Sequence, residues 1–177
     1  MLKRINLLVI GLMFIVIGVS IFMGVQYKKY EISVEEKKGV ACYLNNEESK
    51  YISVLEIPKI NFKRGLTKEY NIDKNISFLE DSDMPNERNS TTIIAGHSGN
   101  SSNSYFNDLY KLKIGDYANL FYDKEKYQYQ IYNIEKIDKT GKLELRKENY
   151  KRLILITCEE SDKQLIIYFK LLKKETI

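Results

Sequence analysis

The chain has 177 residues, of which 44% are hydrophobic, and its 28 basic and 24 acidic residues give a net charge of +4. This length allows one ordinary domain in addition to an N-terminal segment. The basic residues are scattered and do not form a stripe, which argues against a nucleic-acid-binding protein.

The N-terminal segment has the composition of a membrane anchor. An apolar run extends from Ile5 to Val25 after the basic residues Lys3 and Arg4, and about 20 apolar residues suffice to cross a bilayer as a helix. A cleaved signal peptide would have a shorter apolar core followed by small residues, and Gly24-Val25-Gln26-Tyr27 offers no such cleavage site. We therefore expect residues 1–26 to form a short N-terminal tip and an uncleaved signal anchor.

The next segment, residues 27–50, is charged and lacks a sustained hydrophobic period. This pattern indicates a stalk with a short helix around Glu31 to Lys38. We interpret Cys42 in this polar segment as a free thiol that takes no part in a disulfide.

Short strands are predicted from Tyr51 onward. Apolar residues on both sides of Pro58 indicate an edge strand, since proline cannot donate to a β-ladder. Residues 71–80 are mixed, with apolar residues at helical spacing. Thr91 to Ala95 is a β-branched run, and the glycines that follow it mark a turn.

The C-terminal half continues this pattern. Asn103 or Ser104 is expected to cap a short helix that runs to Lys111. Further strands are predicted at Tyr117 to Tyr122, Tyr127 to Ile137, Leu153 to Cys158 and Gln164 to Leu172. Residues 51–177 should therefore be mainly β, forming a closed or nearly closed barrel of about eight strands with two or three short helices.

Two reactive side chains stand at the ends of predicted strands. His97, the only histidine, follows the run that ends at Ala95, and Cys158 ends an apolar strand. A thiol attacks carbonyls as the thiolate, so it needs a base or a positive charge nearby. Taken alone, however, a cysteine in such a strand is more often a small core residue, and a histidine between glycines is usually a turn residue.

Considered together, these segments resemble those of the sortases, the cysteine transpeptidases that anchor surface proteins of Gram-positive bacteria. The resemblance extends over residues 51–172. The matching segments are Leu55-Glu56-Ile57-Pro58-Lys59-Ile60, Ala95-Gly96-His97-Ser98-Gly99, Tyr105-Phe106-Asn107-Asp108-Leu109 and Thr157-Cys158.

The resemblance implies a two-step reaction. Cys158 attacks a peptide bond in an LPxTG-like sorting signal and forms an acyl-thioester, while His97 protonates the leaving amine and later activates the acceptor amine. No cofactor or metal is implied, and the acidic residues show no spacing typical of calcium ligands.

The resemblance also implies a location and partners. It places the barrel outside the cell, on a single-pass membrane protein whose N-terminus is cytoplasmic; the basic residues that flank the apolar run are nearly balanced and do not decide the orientation. The expected partners are surface proteins that carry a sorting signal, and an amine acceptor from a cell-wall precursor or a pilin-like protein.

One position departs from the family's pattern. Sortases usually carry an arginine at the start of the strand after the cysteine, and Gln164 occupies that place here. An amide can donate hydrogen bonds but carries no charge, so it stabilises an oxyanion less well. Strand alternation should turn Lys163 to the opposite face, and Arg146 and Arg152 are candidates for a relocated cation.

Several functions therefore stay open. The chain is an active enzyme that uses Gln164, an active enzyme with a relocated cation, or a weak enzyme retained as a membrane-anchored peptide-binding module. A serine hydrolase acting through Ser98 and His97 is a poorer interpretation, because adjacent residues at a turn do not easily face each other and no G-x-S-x-G motif is present.

Overall fold

A computed structural model describes residues 2–101, 103–139, 148–159 and 162–177. The chain separates into two compact units, Met1–Lys37 and Lys38–Ile177. Helix α1 spans Leu2–Leu44, so it makes up the first unit and its last turns belong to the second. Among the described residues, this one helix is long and apolar enough to cross a membrane.

Helix α1 continues well beyond the apolar run. The segment predicted to be a loose stalk is helical as far as Leu44, whereas only a short helix from Glu31 to Lys38 was expected there. Starting a helix is costly but extending one is not, and the glutamate, lysine and alanine residues of this segment are good helix formers. A helix that already exists therefore extends through the charged residues without a new nucleus.

The second unit contains one eight-stranded sheet. Its strands are β1 Ser53–Ile57, β2 Phe62–Leu66, β3 Ser77–Phe78, β4 Thr91–Ala95, β5 Tyr117–Tyr122, β6 Glu125–Asp138, β7 Arg152–Cys158 and β8 Lys163–Thr176. They lie in the order β2-β1-β5-β6-β8-β7-β4-β3. The described residues of this unit also form two 3-10 helices, Pro58–Ile60 and Leu109–Lys111.

Side-chain hydrogen bonds connect the two ends of this sheet. The Asn75 amide, just before β3, donates from Nδ2 to the carbonyl of Gly65 on β2 at 2.8 Å. Nε of Arg64, also on β2, donates to Oδ1 of Asn75 at 2.9 Å. These bonds bring the two edge strands together, and the expectation of a mainly β, nearly closed barrel of about eight strands is confirmed.

The barrel interior is filled by alternate residues of its strands. Fully buried examples from five of the strands are Leu55, Leu120, Tyr129, Leu155 and Phe169. Successive side chains of a strand point to opposite faces. This alternation separates the core residues of these strands from those on the outer face.

Two local predictions differ from the structure. The strand before Pro58 is not an edge strand, because β1 pairs with both β2 and β5. It ends at Ile57, and Pro58 begins a 3-10 helix, where its missing N–H group breaks no ladder bond.

The helix predicted up to Lys111 is also absent from the described part of residues 103–111, which forms turns and the 3-10 helix Leu109–Lys111. Phe106 and Leu109 are each only 1% exposed. Their helix-like spacing reflects burial in the core, and a segment this short is marginal as a helix.

The last turns of α1 pack on the outer face of the barrel. Their contacts form a small apolar cluster of Val40, Tyr51, Val54 and Phe121. The Tyr43 hydroxyl donates to the carbonyl of Ile52 at 3.0 Å. The ring of Tyr51 lies against two glycines, Gly39 on the helix and Gly65 on β2.

Replacing Gly65 with alanine should destabilise the barrel by about 1–3 kcal/mol, the usual cost of overpacking a filled space. A Cβ at this position would lie 2.3 to 2.5 Å from three ring atoms of Tyr51, and Tyr51 is only 4% exposed. Thermal unfolding of the full chain, followed by circular dichroism, measures the loss. In a Tyr51→Ala background the same substitution should cost far less, and an equal cost in both backgrounds would show that the ring is not the obstacle.

Candidate active site

The position of the site follows from the pairing of β4 with β7. These strands are parallel, with Ala95 opposite Ile156. Parallel neighbours end at the same edge of a sheet, so the residues that follow β4 lie beside the end of β7. The structure thus brings His97 and Cys158 to one edge of the barrel.

Three hydrogen bonds fix the turn around His97 to the end of β7. The Gly96 N–H donates to the carbonyl of Ile156 at 3.2 Å, and Thr157 Oγ1 donates to the carbonyl of Gly96 at 2.8 Å. The Ser98 hydroxyl donates to the carbonyl of Cys158. His97 is therefore held between two residues that are both bonded to β7.

Glycine is required at position 96 because the turn passes close to the core. A Cβ there would lie 2.9 Å from Cγ2 of Ile76 and 2.9 Å from Cδ2 of Phe106. The Phe106 N–H in turn donates to the carbonyl of His97 at 2.9 Å. This packing fixes the backbone that carries the imidazole.

The imidazole has a carboxylate partner. His97 Nε2 lies 3.1 Å from Oδ1 of Asp73, and the side chain of His97 is 32% exposed. Sequence reasoning missed Asp73, because it lies in the connection between β2 and β3 and belongs to no motif. The only available signal was the pair of asparagines around it, Asn71 and Asn75, since asparagine and aspartate are frequent in turns.

A small pocket of about 150 Å³ opens beside Cys158. Its walls include Phe106, Asn107 and Glu159. Asn107 holds one wall in place, since its side chain both donates to the carbonyl of Gly99 at 3.0 Å and accepts from the Gly99 N–H at 2.6 Å. The thiol of Cys158 is therefore partly accessible beside an ordered pocket.

The charge next to the thiol is compensated. The carboxylate of Glu159 lies 2.5 Å from Nζ of Lys136. Since Glu159 directly follows Cys158 in the chain, this ion pair neutralises a negative charge that lies close to the thiol.

Gln164 lies opposite Cys158 in the antiparallel pair of β7 and β8. Directly opposed residues of such a pair project to the same face of the sheet. Lys163, one residue earlier, is exposed and is paired with Asp138 on β6. The register therefore puts the amide of Gln164, and not the amine of Lys163, on the face of Cys158.

Arg152, one of the two candidates for a relocated cation, lies far from Cys158. Arg152 begins β7 whereas Cys158 ends it, which separates the two by about 20 Å at 3.3 Å per residue. Its side chain is buried, and Nε donates to Thr91 Oγ1 at 3.0 Å. Arg146, the other candidate, lies outside the described residues.

The positions of Ser98 and Cys42 do not indicate a nucleophile. Ser98 uses its hydroxyl to bind the carbonyl of Cys158, which favours a structural role over that of a nucleophile. Cys42 lies on α1, and both cysteines are free thiols. Within the described part of the chain, no group of three or more histidine, cysteine, aspartate or glutamate side chains is placed to hold a metal ion.

A protein-family comparison identifies the family of the barrel. The family described as the sortase domain matches residues 55–172, and this match covers more than half of the chain. No curated protein sequence matches the chain. The chain belongs to the sortase family, whose members are cysteine transpeptidases.

Solved structures with the same fold are sortases of several classes. Sortase C1 from Streptococcus agalactiae is 26% identical, with a TM-score of 0.61 over 72% of this chain and 70% of that chain. A Clostridium perfringens sortase D5 transpeptidase is 24% identical, with a TM-score of 0.61 over 70% and 79% of the two chains. Sortase A from Listeria monocytogenes is 21% identical, with a TM-score of 0.62 over 73% and 92%.

Replacing Thr157 with valine should lower the free energy of unfolding by about 1–3 kcal/mol, because it leaves the buried carbonyl of Gly96 without its donor. Thr157→Ser keeps the hydroxyl and should retain more of the stability. Thermal unfolding of the two variants measures the difference. Equal stability of the valine variant and the wild type would mean that this bond does not hold the His97 turn.

Proposed function

We propose that this chain is a membrane-anchored sortase that cleaves an LPxTG-like sorting signal and transfers the acyl group to an amine. The acceptor is an amine of the cell wall or of another surface protein. The observation that carries the proposal is that the pairing of β4 with β7 brings His97 and Cys158 to one edge of the barrel, where a small pocket borders Cys158.

The first step forms the acyl-enzyme. The thiolate of Cys158 attacks the carbonyl carbon of the scissile peptide bond, and a C–S bond forms as the carbonyl oxygen becomes an oxyanion. The oxyanion then collapses and the C–N bond breaks. The imidazolium of His97 gives its proton to the departing amine.

The second step releases the acyl group. The acceptor amine attacks the thioester, His97 takes the proton of that amine, and the C–S bond breaks to restore the thiolate and the imidazolium. One peptide bond is exchanged for another, so the reaction needs neither ATP nor a redox partner.

We assign stabilisation of the oxyanion to the side-chain amide of Gln164 together with backbone amides. The register supports this choice, because Gln164 is directly opposite Cys158. Its amide can donate a hydrogen bond but lacks the charge of an arginine. We therefore expect slower chemistry than in a sortase that carries arginine at this position.

The N-terminal segment supplies the membrane attachment. Residues 1–26 form the cytoplasmic tip and the signal anchor, residues 27–50 form the stalk, and residues 51–177 form the catalytic barrel outside the cell. Helix α1, which is long and apolar enough to cross a bilayer, supports this assignment.

A second candidate function is a peptide-binding module with weak activity on a sortase scaffold. The replacement of the usual arginine by Gln164 favours it, because loss of one preorganised donor can reduce turnover strongly while binding remains. Activity and binding of the same sorting peptide, measured side by side, distinguish the two functions.

Cys158→Ala should abolish cleavage of a sorting peptide and transfer to an added amine, whereas Cys42→Ala should leave both unchanged. The reason is that Cys158 borders the pocket while Cys42 lies on α1. Chromatography of the peptide products measures both reactions. Full turnover by the Cys158→Ala protein would mean that a different nucleophile operates.

Gln164→Ala should reduce turnover by up to about a hundredfold, the scale for losing one preorganised donor. Lys163→Ala is the matched control and should have almost no effect, because its side chain points to the other face. Gln164→Arg should equal or exceed the wild type. If turnover falls in Lys163→Ala and is unchanged in Gln164→Ala, the lysine and not the glutamine stabilises the oxyanion.

A further inference from the structure

The imidazole of His97 has a carboxylate neighbour, Asp73, which belongs to none of the sequence motifs. Oδ1 of Asp73 lies 3.1 Å from Nε2 of His97. We propose that Asp73 is a positioning residue: it accepts the Nε2 proton of His97 and leaves Nδ1 as the nitrogen that exchanges protons in the reaction. The mechanistic part of this inference rests on the proposed function.

The backbone of Asp73 is fixed on both sides, although its side chain is 85% exposed. Its N–H donates to Oδ1 of Asn71 at 3.1 Å. Its carbonyl accepts a hydrogen bond from Nδ2 of Asn103 at 2.8 Å. Because Asn103 belongs to the segment that follows His97, the carboxylate and the imidazole are tied to each other by a second route.

The turn that carries Asp73 is also tied to the barrel. Asn75, two residues later, donates to the carbonyl of Gly65 and accepts from Nε of Arg64. The guanidinium of Arg64 lies 3.5 Å from the centre of the Tyr105 ring, and this contact joins β2 to the segment after His97. Asp73 is thus held in place by the fold, and its proximity to His97 does not depend on a loose loop.

The chemistry of the two groups sets the position of the proton. An ionised carboxylate only accepts hydrogen bonds, and a neutral imidazole carries one N–H. Pairing Nε2 with Asp73 therefore favours the tautomer with the proton on Nε2 and the lone pair on Nδ1. A carboxylate in a catalytic triad fixes the tautomer of its histidine in the same way.

Exposure limits the size of the effect. Exposed charge pairs contribute little energy and are screened by salt. We expect Asp73→Asn to lower kcat by about two- to fivefold with little change in KM, and the loss should shrink as salt is added.

The test is the nitrogen spectrum of the imidazole, since His97 is the only histidine of the chain. The full chain is prepared in detergent micelles with 15N-labelled histidine and without a polyhistidine tag. In the neutral ring of the wild type, Nε2 should carry the proton. In Asp73→Asn the side-chain amide can donate to Nε2, so the fraction with the proton on Nδ1 should rise.

Two variants serve as controls. Asp73→Glu retains a carboxylate and should recover part of the wild-type tautomer ratio and kcat. Asp81→Asn removes one negative charge at an exposed position of a different connection, the one between β3 and β4, and should behave as the wild type. A wild-type tautomer ratio in Asp73→Asn would overturn the inference whatever the activity. A shifted ratio in a chain that shows no transpeptidation would support the position of Asp73 and contradict the proposed function.

Discussion

The site depends on one pairing, the parallel alignment of β4 with β7. All other pairings among the described strands are antiparallel, and an antiparallel neighbour would have put the end of β4 beside the start of β7. Because the two strands run in the same direction, His97 and Cys158 reach the same edge of the sheet. The hydrogen bond from Thr157 to the carbonyl of Gly96 joins their neighbours, which are 61 positions apart in the chain. Gln164, the cross-strand partner of Cys158 on β8, lies at the same edge.

The sequence was most informative where structure is local. Runs of β-branched and apolar residues, with alternation in the strand that begins near Tyr127, predicted β4 to β8 to within a few residues. The two reactive residues were found because each ends such a strand. The resemblance to sortases singled out Gln164 as the residue at the usual arginine position, and the ladder pairs it with Cys158.

Features that depend on tertiary contacts could not be predicted in this way. The helical course of residues 27–44 needs a helix already formed before it, and its last turns are further stabilised by Tyr51. Phe106 and Leu109 have helical spacing, but Phe106 lies in a turn and Leu109 in a 3-10 helix, and both side chains are buried in the core. Asp73 reaches His97 only because Asn75 and Asn103 fix its turn, and none of these contacts has a signature in the sequence.

In the proposed mechanism, Cys158 carries the acyl group between the two steps. Mass spectrometry of the full chain, incubated with a sorting peptide in the absence of an added amine and then digested, tests it most directly. We expect an adduct with the mass of the acyl part of the peptide on the fragment that contains Cys158, and its loss on treatment with hydroxylamine. An adduct on Cys42 or Ser98, or peptide cleavage without any adduct on Cys158 under conditions that trap thioesters, would contradict it.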